Sequence, residues 1–167
     1  MALTAEIADG WLPIYYSPAV AKMYNGWLDE GFARPGARAT RDTFEIAANC
    51  QVVVTDDVPG TLEAMRAFVA FYIGGMGAKD MNFHKEVFAR MGYEKESDEI
   101  QDLFFEGKRD EAVAAVPTEM VADISLVGPV VKIRDDLARW EEAGVTMLVV
   151  GATTVDEMRR TAEAILG

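Results

Sequence analysis

Along the chain, short continuous apolar runs alternate with longer stretches in which apolar residues recur every three or four positions, the pattern of buried parallel strands covered by helices. Three runs read as strands. They are residues 11–16 (Trp-Leu-Pro-Ile-Tyr-Tyr), the stretch 44–55 with Val52, Val53 and Val54 at its centre, and residues 147–150 (Met-Leu-Val-Val). Pro13 has no N–H to give to a ladder, which confines the first run to an edge, a strand end or a bulge.

Each run is followed by the signals that start a helix. Ser17 and Pro18 supply a capping hydroxyl and a first-turn proline, and Val20, Met23, Tyr24, Trp27 and Gly31 then spell one helix ending at glycine. Asp56, Asp57 and Pro59 open a second helix whose apolar face is Leu62, Met65, Val69 and Tyr72, closed by Gly74 and Gly75. Thr154 to Glu157 reads as a capping box, with Val155, Met158, Ala162 and Ile165 on one face of the helix that follows. Between the second and third strands lies a helical section from about 79 to 143, punctuated by Gly92, Gly107 and Pro117. Only the brief run Ile124 to Val127 interrupts it. With no repeat and no linker, residues 1–167 are expected to form one domain carrying a helical insertion at about 79–143.

Successive strand–helix units build either an open doubly wound sheet or part of a (β/α)₈ barrel, which typically takes about 250 residues. The chain has 167 residues, half of them hydrophobic, enough for a buried core and too apolar for disorder. Twenty-eight acidic residues against sixteen basic ones leave a net charge of −12, which argues against nucleic acid or an anionic membrane as partner. One cysteine and one histidine remove a disulfide framework and the paired-His sites of catalytic zinc, and no metal site is expected. No apolar run reaches the roughly 18 residues of a membrane span and no basic stretch opens the chain, so a cytoplasmic protein is expected.

The residues just after each run are where a barrel places its chemistry. Tyr15 and Tyr16 are adjacent and so face opposite sides of a strand. One of them can stand in the mouth of the barrel as a ring wall or a phenolic donor, or both can be packing residues. Asp56 and Asp57 read as helix caps. Gly74 to Gly77 follow a helix and lack the spacing of a phosphate loop, whereas Gly151 to Thr154 follow a strand and can either offer N–H groups to an anion or simply cap a helix. His84 is the one side chain that ordinarily titrates near neutrality, hence either a ready proton donor and acceptor or an exposed helix histidine. Cys50 reads as an inert buried thiol.

One ordered series of motifs narrows this further: Ala5-Glu6-Ile7-Ala8-Asp9-Gly10-Trp11-Leu12-Pro13, then Phe71 to Gly77 with Asn82-Phe83, then Gly92-Tyr93, Ile100-Gln101, Gly107-Lys108 and Ser125 to Pro129. Together these resemble the C-terminal part of the luciferase-like monooxygenase family, and more narrowly its F420-dependent oxidoreductase branch. The resemblance implies an α/β fold, a partial TIM (β/α)₈ barrel made of about the last three β/α units, with the helical insertion between the last two strands. It implies coenzyme F420 as cofactor, with FMN as the alternative, and hydride transfer to or from a small organic substrate. Tyr15 and Tyr16 would touch the cofactor, and Asn82, Phe83 and His84 would line the substrate side. Met1 would fall in the helix after the fifth strand, so the acid–base residues and much of the cofactor cradle would be supplied by a complementing N-terminal half. A non-catalytic truncated barrel stabilised by self-association is the competing expectation.

Overall fold

A computed structural model describes all 167 residues. The chain runs α1 (Ala2–Ile7), β1 (Gly10–Trp11), a 3₁₀ turn (Pro18–Val20), α2 (Ala21–Phe32), β2 (Glu45–Asn49), β3 (Gln51–Val54) and α3 (Val58–Gly75). It continues with α4 (Phe83–Phe88), a π turn (Ala89–Tyr93), α5 (Glu94–Phe105), α6 (Arg109–Ala114), α7 (Thr118–Ala122), β4 (Ser125–Gly128), α8 (Val130–Glu142), β5 (Met147–Val149) and α9 (Val155–Leu166). This is an α/β fold with every strand pairing parallel, in two small sheets ordered β1-β2-β5 and β3-β4. The sheets do not close into a barrel.

Three expected strands thus become five. The run 44–55 is one extended segment that changes partners at Cys50: β2 lies between β1 and β5, while β3 pairs with β4, Val53 opposite Val127. The brief run inside the helical section is therefore a strand, fully buried along its length, and the section is not purely helical. The first run is shorter than expected, because after Trp11 the proline cannot donate and only Pro13 O remains to accept from Asn49 N–H at 3.5 Å.

Helix boundaries follow local chemistry. Ser17 Oγ accepts from Ala19 N–H, Asp57 from Gly60 N–H, and Thr154 and Glu157 form the reciprocal capping box. Gly31 does not end its helix. A Cβ there would lie 2.1 Å from Ala2 O and 2.6 Å from Ala5 Cβ, so this glycine is what lets α1 lie directly on α2. Gly74 and Gly75 do close α3, and their bare surface also receives the Phe104 ring of α5.

The core divides in two. One cluster gathers Tyr16, Tyr24, Leu28, Ile46, Ala48, Leu126, Ile133 and Trp140 between the sheet and helices α2, α8 and α9. The other gathers Tyr15, Val69, Ile73, Phe88, Ile100, Met120 and Val127 among α3 and the helices of the inserted section. Strand alternation explains which face is covered: Ile46, Ala48, Cys50 and Val52 turn to the first cluster, while Glu45, Asn49, Gln51, Met147 and Val149 remain exposed on the other face. No helix is long and apolar enough to cross a membrane.

Candidate functional site

The uncovered face of the central strand forms the floor of a cleft of about 610 Å³, within the range of small-molecule sites. Gln51 and Val53 come from β3, Met65, Phe68, Val69 and Tyr72 from α3, and Gly151, Ala152, Thr153, Glu157 and Arg160 from the start of α9. Ile14 and Tyr15 enter from the loop after β1.

Tyr15 and Tyr16 part company here. Tyr15 sits at φ 58°, the one non-glycine residue with a positive φ, a conformation that costs a bulky residue about 1–2 kcal/mol. The bend sends the two rings to opposite cores. Tyr16 is 1% exposed, stacks on Tyr24 at 5.6 Å between centroids, and donates its hydroxyl to Ala143 O at 2.8 Å. It does not line the cleft, and burial pushes its pKa up to about 12. Tyr15 does line it. Its hydroxyl is buried with no hydrogen-bond partner, and burial, reinforced by Tyr72, drives its pKa far above the ordinary phenol value.

Asn82, Phe83 and His84 are not in the cleft lining, and each is placed by a different force. Asn82 is buried, caps α4 by accepting from Lys85 N–H at 3.0 Å, and donates to Ile73 O at 2.6 Å and Tyr72 O at 3.3 Å. That ties the inserted helices to the end of α3. Phe83 is 65% exposed. His84 packs edge-on against Tyr72 at 4.8 Å and Tyr15 at 6.0 Å between ring centroids, directly behind the cleft wall. Its Nδ1 is buried and unpartnered, and desolvation holds its pKa below the ordinary value.

The start of α9 resolves another pair of alternatives. The Glu157 carboxylate accepts from Thr153 N–H (2.8 Å), the Thr153 hydroxyl and Thr154 N–H (3.2 Å), filling the place an anion would take. Asp57 likewise caps α3. Cys50 is 1% exposed with its pKa raised to about 12 by burial, so it is a protonated, unreactive thiol. The sequence reading missed Gln51, Phe68 and Tyr72 as cleft residues. Their signals were the polar residues Asn49 and Gln51 at alternate positions of a strand otherwise apolar, and a helix apolar beyond one face, with Phe68 and Phe71 about half exposed.

The family model for luciferase-like monooxygenases matches residues 1–147. The chain belongs to that family. It is 52% identical over 165 residues to a Mycobacterium tuberculosis protein that bears the name of a coenzyme F420-dependent oxidoreductase, covering 99% of this chain and 48% of that protein. It is 24% identical over the same span to the 5,10-methylenetetrahydromethanopterin reductase of Archaeoglobus fulgidus, again covering 48% of that protein. Among solved structures, the coenzyme F420-dependent tetrahydromethanopterin reductase of Methanopyrus kandleri superposes with a TM-score of 0.72 at 22% identity, over 99% of this chain and 46% of that one. An F420-dependent secondary alcohol dehydrogenase in complex with an F420–acetone adduct superposes with a TM-score of 0.64 at 15% identity, over 98% and 45% of the two chains. The chain therefore spans about half the length of the relatives it matches.

In this member of the luciferase-like family, the lining of the cleft sets what the cleft can hold. A tricyclic ring asks for flat apolar walls, and β3 and α3 provide them through Val53, Met65, Phe68 and Tyr72. A phosphorylated tail asks for cations and free N–H donors. Arg160 is the one basic residue of the lining, and Glu157 already holds the donors at the start of α9.

Proposed function

We propose that this chain is the C-terminal part of a coenzyme F420-dependent oxidoreductase, in which hydride passes between the deazaflavin and a small organic substrate. The observation that carries the reading is the 52% identity, across 99% of the chain, to a relative named for that activity. The apolar cleft after the strands supports it, since a barrel of this architecture binds its ligands at the C-terminal ends of its strands. The cofactor supplies the hydride chemistry. This chain supplies a wall: Tyr15 and Tyr72 face the ligand, and the Phe83–His84 segment backs the substrate side. FMN, with its single phosphate, is the alternative occupant.

The last three β/α units of the barrel correspond here to β1 with α2, the continuous β2–β3 segment with α3, and β5 with α9. The inserted helices, together with strand β4 and helix α8, lie between the second and third. In this reading the exposed face carrying Glu45, Asn49, Met147 and Val149, together with the free edges of β1 and β5, is covered by a complementing N-terminal half. That half brings the proton-transfer residues and the cations for the cofactor tail. Self-association of a non-catalytic module is the second reading, favoured by the same exposed apolar edges.

Titrating coenzyme F420 while following its fluorescence tests the assignment. The expected result is weak quenching by the chain alone and strong quenching once the N-terminal half of the Mycobacterium tuberculosis relative is added. Quenching by neither preparation overturns the cofactor. Tight binding by the lone chain overturns the need for a complement, and a monodisperse monomer in light scattering removes the self-associated reading.

A further inference from the structure

Five buried side-chain polar atoms have no hydrogen-bond partner: Tyr15 Oη, Arg66 Nε, His84 Nδ1, Ser97 Oγ and Gln101 Nε2. All five are closed to solvent. What the cleft leaves both accessible and unmatched is a charge. Eleven of the sixteen basic residues pair with a carboxylate. Of the others, Arg134 donates to Glu163 O and Ala164 O, Arg109 lies over the Phe104 ring, and Lys22 and Lys95 are exposed outside the cleft. Arg160 alone lines the cleft with neither an ion pair nor a hydrogen bond to the protein. Its own helix explains why. Asp156 is held by Arg159 at 2.9 Å, and the Glu157 carboxylate, one turn before Arg160, is turned back onto Thr153 and Thr154 by the capping box.

We propose that Arg160 anchors the substrate by a single carboxylate, with the apolar body of the molecule lying against Val53, Met65, Phe68 and Tyr72 of the cleft. A chain of net charge −12 repels anions over most of its surface, so an anion enters only where a local cation outweighs that field. The planar guanidinium fork meets both oxygens of a carboxylate at once. Charge balance fixes the number of charges. Hydrogen bonds from Thr153 and Thr154, and last the charge of Arg160, hold the Glu157 carboxyl below its ordinary range, so Arg160 already shares its field with one carboxylate. A phosphate dianion would set two further charges beside Glu157 against one guanidinium, whereas a carboxylate sets one. The N–H groups of Gly151 and Ala152, in the cleft lining just before the same helix, make no hydrogen bond in the protein and remain for a ligand oxygen.

The inference rests on the oxidoreductase reading for what reaction follows, while the binding itself is measurable without cofactor. Hydrocinnamate, hydrocinnamamide and phenethyl phosphate share an apolar body and differ in charge. Titrated into the full chain and followed by NMR, hydrocinnamate is expected to bind about fivefold more tightly than the amide, the gain of one well-formed ion pair at an exposed arginine. Arg160→Gln removes an exposed side chain without protein partners, so the fold is kept. In that variant the preference for the acid is expected to vanish and the affinity for the amide to stay the same. Equal affinity for acid and amide in the parent, a preference that survives in Arg160→Gln, tighter binding of phenethyl phosphate, or no binding of the acid overturns the anchor. Coenzyme F420 titrated into parent and variant, each with the N-terminal half of the Mycobacterium tuberculosis relative present, tells substrate from cofactor. Equal quenching is expected, and a loss in the variant assigns Arg160 to the cofactor tail and overturns its substrate role. Quenching in neither, with the preference for the acid intact, overturns only the cofactor reading and supports the anchor.

Discussion

The two cores of this protein are separated by one peptide bond between tyrosines, and they are built to different standards. Around Tyr16 every buried side-chain polar atom is matched, and its hydroxyl closes a bond to Ala143 O across 127 residues of chain. Around Tyr15, and in the helices behind it, lie all five unmatched atoms. Native cores leave few such groups, and one region holding them all marks the side of the molecule arranged around something else. The first core is a foundation. The second is a wall facing a cleft.

Removing the ring that supports Tyr15 tests the contrast most severely. Phe88 is fully buried and lies 4.9 Å from the Tyr15 ring, so Phe88→Ala is expected to cost about 3–5 kcal/mol in urea unfolding. A smaller loss would mean that the second core collapses into the gap and is looser than its burial implies. Asn82→Ala removes a helix cap and two hydrogen bonds to the end of α3, an expected loss of about 2–3 kcal/mol by the same measurement. If the inserted helices stay docked at full stability, Asn82 does not anchor them.

Hydroxyl deletions at the two tyrosines should move in opposite directions. Tyr16→Phe orphans Ala143 O and is expected to lower stability by about 1–2 kcal/mol, whereas Tyr15→Phe removes a buried unmatched donor and is expected to raise it by about 1 kcal/mol. Parallel changes in the urea midpoint would erase the distinction drawn between the cores. Stabilisation by Tyr15→Phe together with weakened ligand binding is the signature of a functional group retained against stability.

The smallest effect concerns pH. Burial lowers the His84 pKa below its ordinary 6.5, so the unfolded chain takes up this proton at a higher pH than the folded one. The His84 contribution to stability is complete above about 6.5 and is lost as pH falls through the folded value. Subtracting the urea midpoints of His84→Gln from those of the parent at pH 7.5 and pH 5 isolates it from the carboxylates. A difference that stays constant between the two pH values refutes the desolvated environment.

Much of this was written in the one-dimensional pattern. Ser17, Asp57 and Thr154 cap the helices they precede, because capping is a contact between residues two or three apart and needs nothing distant. The apolar runs mark the strands and the motif series marks the family, since both are local in sequence. Partnering was not written there. That residues 44–55 serve two sheets, that the brief run at 125–128 joins one of them, and that Gly31 yields to α1 rather than ending α2 are facts about segments tens of residues apart. The fates of Tyr15 and Tyr16 make the same point most closely. Alternation along a strand says that neighbours face opposite ways, but only the packed helices decide which neighbour finds an acceptor and which is left beside a cleft with its hydroxyl unmatched. The sequence determined the elements and the family because both rest on short-range chemistry; the tertiary structure decided the site, because a site is made where distant segments meet.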